Sequence, residues 1–91
     1  MTGIHTAVVR FQNVKRNMAV LEVETPGQDV RGPFVVVEIT AGSVDVRDEI
    51  VGNLDRTGAV DLFNRTRHDH IQATISLAGV TRDDAVAYMK D

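Results

Sequence analysis

Residues 70–77 alternate strictly between polar and apolar side chains, and this alternation constrains the fold more than any other feature of the chain. Aliphatic residues occupy every second position, while histidine, glutamine, threonine and serine fill the positions between them. Because successive side chains of a β-strand point to opposite faces of a sheet, the pattern predicts a strand with one buried face. Residues 78–79 are expected to end it, and Thr81 with two aspartates predicts a short C-terminal helix at residues 81–90.

Five further stretches rich in β-branched and aliphatic residues also predict strands, and no helical pattern separates them. Six short strands joined by turns indicate a mainly β fold. We expect an antiparallel meander that curls into a small β-barrel, SH3-like or OB-like in kind. A chain of 91 residues is expected to form one domain spanning residues 1–91. The six predicted strands are residues 4–11, 18–24, 34–39, 44–52, 59–63 and 70–77.

Residues 34–39 are apolar on both faces, and residues 18–21 form a second aliphatic run. A strand of this kind must be covered twice, by the barrel interior on one side and by the helix or a second subunit on the other. The helix is too short to be stable alone, so we expect it to plug a barrel mouth. Self-association would bury any aliphatic surface left uncovered. The expected partner is therefore another protein or a second copy of the chain.

Gly42, Val44 and Asp48 are followed by an aliphatic pair at residues 50–51. In this pattern residues 42–51 resemble the segment that enters a strand in small β-barrels, including the second domain of translation GTPases. Arg47 departs from the pattern, because a glycine is expected before the aspartate. The resemblance implies barrel architecture and carries no functional residue to this chain.

Composition excludes several classes of site. The chain has no cysteine, which excludes thiolate catalysis, cysteine-ligated zinc and iron–sulfur clusters. It has no glycine-rich phosphate loop, and no base neighbours either serine in the sequence. An enzyme is therefore not favoured, and no cofactor is expected. No apolar run is typical of a signal peptide or long enough to cross a bilayer, so we expect a cytoplasmic protein that does not bind membranes.

His68 and His70 are the candidate metal ligands. Residues two apart on a strand project to the same face, so both imidazoles would reach one divalent ion. A third ligand would come from His5 or from a carboxylate on a neighbouring strand, making the chain a small metal-dependent enzyme. Arg65 and Arg67 would repel a cation, and solvated histidines at a strand end are the commoner arrangement.

Four carboxylates lie around the predicted fourth strand, where they would suit acid–base chemistry or a hard metal ion. Acidic turns are more often simply solvated, and we interpret them in this way. Alanine at Asp48 is accordingly expected to leave the fold intact. The four are Asp45, Asp48, Glu49 and Asp55.

Arg65 and Arg67 belong to the densest basic cluster, and with Lys15 and Arg16 they would form a patch if the two turns lie at the same end of the barrel. Such a patch would suit a phosphate group or an RNA backbone. The formal net charge of −3 argues against a chain-wide nucleic-acid footprint. Three phenylalanines and one tyrosine argue against a surface that stacks several bases.

The favoured interpretation is a non-catalytic barrel module that binds a partner or itself. Its surface is expected to combine the long loop at residues 25–33 with the turn at residues 65–70, since loops often carry binding. The metal-dependent enzyme and the RNA-contacting barrel remain as alternatives. The candidate site residues are Lys15, Arg16, Arg65, Arg67, His68 and His70.

Overall fold

The computed structural model describes residues 4–24, 34–54 and 57–89. Within these ranges six antiparallel strands form a closed barrel, followed by one short helix. The predicted mainly β fold is confirmed. A 3₁₀ turn, Val14–Arg16, joins the first two strands. The elements are β1 (His5–Asn13), β2 (Met18–Val23), β3 (Phe34–Ala41), β4 (Glu49–Gly52), β5 (Gly58–Asn64), β6 (Asp69–Val80) and α1 (Arg82–Met89).

The strand order around the barrel is β1-β2-β3-β6-β5-β4, and β4 pairs with β1 to close it. The spatial order β4-β1-β2-β3 is a Greek key, so the simple meander predicted from the sequence is wrong. The reason is the segment after β3. Residues 42–48 cross the end of the barrel to β1, where the Arg47 amide donates to the Val9 carbonyl at 2.8 Å. These residues were predicted to lie mostly in the fourth strand, and they instead shorten it to four residues.

Three connections meet at one end of the barrel, which we call the upper end. They are the β1–β2 turn (residues 14–17), the β3–β4 connection (residues 42–48) and the β5–β6 turn (residues 65–68). Antiparallel pairing of β1 with β4, and of β4 with β5, brings the three together. β2 ends and β3 begins at the opposite end, which we call the lower end. The predicted binding loop at 25–33 lies outside the described residues, and the strands that it joins meet at the end opposite the β5–β6 turn.

The barrel interior is aliphatic, and β6 shows how the alternating pattern produces it. Ile71, Ala73 and Ile75 are buried inside the barrel, as predicted. The strand then continues to Val80 rather than ending at residues 78–79. Between Ile75 and Leu77 two steps of β6 oppose a single step of β3, which is a β-bulge at Ser76. The bulge moves Leu77 to the outer face, contrary to the predicted pattern.

The helix α1 packs against the outer faces of β2, β3 and β6. It does not plug a barrel mouth, because the apolar surface it needs lies on the outer wall. Its buried Ala85 and Met89 contact a second apolar cluster that includes Val20 and Val36. The prediction that β3 is covered on both faces is confirmed, with the helix as the outer cover. The aliphatic runs on which self-association was predicted are thus buried within one chain. Across the described ranges no helix has the length and apolarity needed to cross a membrane.

Candidate functional site

The upper end brings the two predicted basic turns together. The β1–β2 turn carries Lys15 and Arg16, and the β5–β6 turn carries Arg65 and Arg67. The predicted condition that both turns lie at the same end of the barrel is met. The β3–β4 connection joins them there and adds Arg47, a cation that the sequence did not single out as a site residue.

Asp48 is the centre of the upper end. Its residue exposure is only 6%, and its carboxylate accepts from the Asn64 side-chain amide at 2.8 Å. The backbone amide of Asp45 donates to the same carboxylate at 2.9 Å. The Arg67 Nε lies 3.4 Å from it. The interpretation of Asp48 as a solvated turn residue is therefore wrong, because a buried carboxylate with three partners is a structural brace.

Arg67 links the β3–β4 connection to the β5–β6 turn through several polar contacts. Its guanidinium forms an ion pair with Asp45 and donates to the Ser43 hydroxyl at 3.2 Å. Its backbone amide donates to the Asn64 side-chain oxygen at 3.2 Å. Together with the Asp48 contact, these bonds hold the two segments in one arrangement. Arg67 was predicted to belong to the partner surface, and its charge is largely committed to neighbouring carboxylates.

Arg65 is also ion-paired. Its Nε lies 3.4 Å from the Glu49 carboxylate, and its backbone amide donates to the Glu49 carbonyl at 2.8 Å. The Glu49 amide in turn donates to the Thr66 hydroxyl at 2.9 Å. Because the Arg65 side chain remains 56% exposed, this pair is weak and solvent-screened. Arg65 can therefore exchange its partner for another anion.

Arg47 has an unusual backbone conformation. The Asp48 amide donates to the Asp45 carbonyl at 3.0 Å and closes a four-residue turn, in which Arg47 is third with φ 82°. Glycine is favoured at that position of a type II turn because it has no Cβ. The glycine missing from the resemblance pattern is thus the one that this backbone would prefer. Among the described residues the exposed Arg47 side chain has no hydrogen-bond or ion-pair partner.

Lys15 is a second exposed cation without a partner among the described residues. It lies in the 3₁₀ turn. Each of these two cations follows an exposed valine. Val14 is 73% exposed and Val46 is 47% exposed. The upper end therefore presents uncompensated positive charge beside small apolar surfaces.

The three upper connections carry five cationic side chains and two carboxylates, whereas the whole chain has a formal charge of −3. Glu49 and Asp69, at the starts of β4 and β6, add two carboxylates beside these connections, so cations exceed carboxylates there by one. The upper end is therefore slightly positive in a molecule that is acidic as a whole, which favours attraction of an anion to that end. The cations are Lys15, Arg16, Arg47, Arg65 and Arg67, and the carboxylates of the connections themselves are Asp45 and Asp48.

Of the two candidate metal ligands, only His70 lies on a strand, as predicted. His68 belongs to the β5–β6 turn with φ 59°, so the strand spacing on which the metal site rested is wrong. Both His68 and His70 contact the Phe63 ring edge to face, with centroids 6.5 and 5.3 Å apart. His5 lies towards the lower end, where its Nδ1 accepts from the Leu54 amide at 3.3 Å. In residues 4–24, 34–54 and 57–89, no three His, Cys, Asp or Glu side chains are grouped to hold a metal ion.

A cavity of about 330 Å³ opens at the upper end between the β1–β2 turn and the β3–β4 connection. The described residues that line it include no titratable side chain, so the cavity offers no acid, base or nucleophilic carboxylate. Its lining consists of Gln12, Val14, Asn17, Met18, Ile39, Thr40, Ala41, Gly42, Ser43 and Val44.

The chain matches no protein family, no curated protein and no solved structure.

Proposed function

We propose that this chain is a non-catalytic β-barrel module whose upper end binds an anionic partner. The observation that supports it most directly is the presence of two exposed cations without partners, Lys15 and Arg47, on connections that meet at one end. A cation already paired within its own protein must give up that pair before it binds. Lys15 and Arg47 have no such cost within the described structure. A cytoplasmic location is part of the same proposal, taken from the sequence.

The Asp48 brace supports a binding role because it holds the β3–β4 connection against the β5–β6 turn. Ordering a loop on binding costs free energy, and a surface that is ordered beforehand avoids that cost. The bonds of Asp48 and Arg67 therefore increase the affinity that the exposed cations can provide. The strained Arg47 backbone fits the same proposal, since strain is often retained where a side chain serves binding.

Catalysis has less support. The upper cavity has no titratable lining residue within the described ranges, and the two histidines are packed against Phe63. The metal-dependent enzyme expected as an alternative therefore has no geometric argument in its favour. Self-association was expected from the two aliphatic runs in the sequence. That argument no longer applies, because α1 covers the outer apolar face of β3.

The proposal can be tested by binding to heparin, a polyanion of high charge density. We expect the chain to be retained on a heparin column at about 50 mM salt and to elute as the salt concentration rises. The double variant K15E/R47E should elute at a clearly lower salt concentration. Loss of two contacts lowers both the affinity and its salt dependence.

The matched control is R10E/R82E, which changes the net charge equally at positions outside the three upper connections. Arg10 is paired with Glu22, and Arg82 lies over the Phe11 ring. The control should elute close to the wild-type chain. Equal shifts for the two double variants would mean that only net charge matters, and failure of the wild-type chain to bind heparin would reject an anion-binding end.

A further inference from the structure

We propose that the anionic partner is a single-stranded nucleic acid, and that one of its bases stacks on the exposed imidazole of His70, which packs edge to face against Phe63 beside His68. We call these three side chains the ring cluster. This inference rests on the proposed function, because it assigns a class of partner to the same end of the barrel. Such binding needs an exposed ring surface and phosphate-binding cations close to that surface. A surface with room for a single base would limit stacking to one base.

The ring cluster lies on the outer wall of the barrel, immediately below the β5–β6 turn. Phe63 points outward because its neighbours Leu62 and Asn64 are buried. His70 is its cross-strand partner on β6. The left-handed backbone of His68 turns a second imidazole back towards the same phenyl ring. Both histidines are exposed, so their rings are accessible from solvent.

In the unbound protein both imidazoles of the ring cluster already contact the Phe63 ring. The interplanar angles between Phe63 and the two imidazoles are 69° and 65°, the edge-to-face arrangement that aromatic pairs prefer. A base that stacks on rings held in this way loses less free energy to side-chain ordering. Phenylalanine and histidine are both used as stacking surfaces for unpaired bases.

Phosphate-binding cations flank the ring cluster on its upper side. Arg65 follows Phe63 by two residues at the end of β5 and is more than half exposed. The β3–β4 connection contacts the same turn through the bond from Arg67 to Ser43, which brings Arg47 to this end. Two exposed carboxylates near the rings would repel a phosphate: Asp61 on the lower side, two residues before Phe63, and Asp69 between the two histidines. The phosphates should therefore pass on the Arg65 side of the ring cluster.

An acidic peptide or a sulfated sugar would satisfy the cations equally well but has no base to place on the rings. The ring cluster is what favours a nucleic acid. Its small size agrees with the low aromatic content of the chain, which argues against stacking of several bases in succession. Duplex DNA is disfavoured because its bases are already stacked.

The experiment compares two fluorescently labelled probes by anisotropy: a ten-nucleotide oligouridylate and an abasic sugar-phosphate chain of the same length and charge. The wild-type chain should bind the oligouridylate about 5- to 100-fold more tightly, which is the range expected for one stacked base. The variants H70A and F63L/H70A should lose this preference while still binding the abasic chain. The Y88A control removes an exposed aromatic ring on α1 and should keep the preference.

Salt dependence separates this inference from the proposed function. Both probes should show a slope of about −2 to −3 in a plot of log affinity against log salt concentration, as expected for three or four phosphate contacts. K15E/R47E should reduce the slope for both probes, whereas H70A should leave it unchanged. H70A replaces an exposed side chain, so it should fold even if the half-buried Phe63 tolerates no change.

Equal affinity for the oligouridylate and the abasic chain would overturn base stacking and leave the anion-binding end in place. Tighter binding of a polyglutamate peptide than of the oligouridylate would assign the surface to an acidic protein and reject the nucleic acid. If heparin and both probes fail to bind, the proposed function and this inference fail together.

Discussion

The Asn64 side-chain amide donates to the Asp48 carboxylate at 2.8 Å, in a contact buried where the β3–β4 connection meets the end of β5. Sixteen residues separate the two positions in the sequence, and both polar side chains are buried. Asn64 is fully buried, so its amide needs a partner inside the protein. The pair fixes the position of the connection relative to β5, and the placement of Arg47 at the upper end follows from it.

We expect Asp48→Ala to lower the free energy of unfolding by about 2–4 kcal/mol, because it leaves Asn64 and Arg67 without their shared acceptor. Urea denaturation followed by circular dichroism measures this change. Asp45→Ala is the control. Its side chain is 61% exposed, and its loss should cost less than about 1 kcal/mol. Equal costs for the two variants would contradict the structural role given to Asp48.

Arg47→Gly should separate stability from binding. Glycine relieves the positive φ, so we expect the free energy of unfolding to rise by about 0.5–1 kcal/mol. Heparin affinity should fall at the same time, because one uncompensated cation is lost. Arg47→Lys keeps the charge and the strain, and should leave both measurements close to those of the wild-type chain. A glycine variant that is less stable than wild type would show that the Arg47 side chain serves packing instead.

Gly52 is held against Leu62 by pairing of β4 with β5. A Cβ at Gly52 would lie 2.3 Å from the Leu62 Cδ2, and Leu62 is only 2% exposed. Gly52→Ala should therefore cost about 1–3 kcal/mol by overpacking. Leu62→Ala alone should cost about 2–5 kcal/mol by leaving a cavity. The double variant should cost less than the sum, since each change relieves the other, and strict additivity in urea denaturation would contradict this contact.

The docking of α1 can be tested with two glutamates on the same helix. Ala85 is fully buried against the outer wall of the barrel, whereas Ala87 is exposed. Ala85→Glu should displace the helix and expose the apolar surface around Val20 and Val36. Binding of a hydrophobic dye and concentration-dependent association in sedimentation should both increase. Ala87→Glu should behave like the wild-type chain in both assays, and parallel behaviour of the two variants would argue against this helix position.

The features of the fold that can be predicted are those that local sequence patterns encode. The alternation of residues 70–77 and the turn residues between aliphatic runs identified six strands and a terminal helix, because both signals act over a few neighbouring positions. The pairing of β3 with β6 joins segments far apart in sequence, and no local pattern reports it. The helix position was wrong for the same reason. Its contacts depend on which outer face the barrel leaves apolar.

The candidate site, like the fold, is only partly predictable from local sequence patterns. The sequence predicts a basic turn that contains Arg65 and Arg67, but their ion pairs depend on carboxylates of the β3–β4 connection and of the start of β4. No local pattern distinguishes Asp48 from other acidic turn residues, because its partners Asn64 and Arg67 lie in a distant part of the sequence. Arg47 was visible in the sequence as the residue that replaced an expected glycine. That mismatch was the one local signal for a strained backbone at the upper end.

The bulge at Ser76 gives the two halves of β6 different mutational tolerance. Before it, polar substitutions should be accepted at alternate positions, since Ile71, Ala73 and Ile75 alone face the interior. After it, the adjacent residues Leu77 and Ala78 pack against two different apolar clusters, Leu77 under the helix and Ala78 inside the barrel, so a polar substitution at either should be costly. Register shifts of this kind in β6, with the bulge at Ser76 as the first, thus let one continuous strand contribute side chains both to the barrel core and to the apolar cluster under the helix.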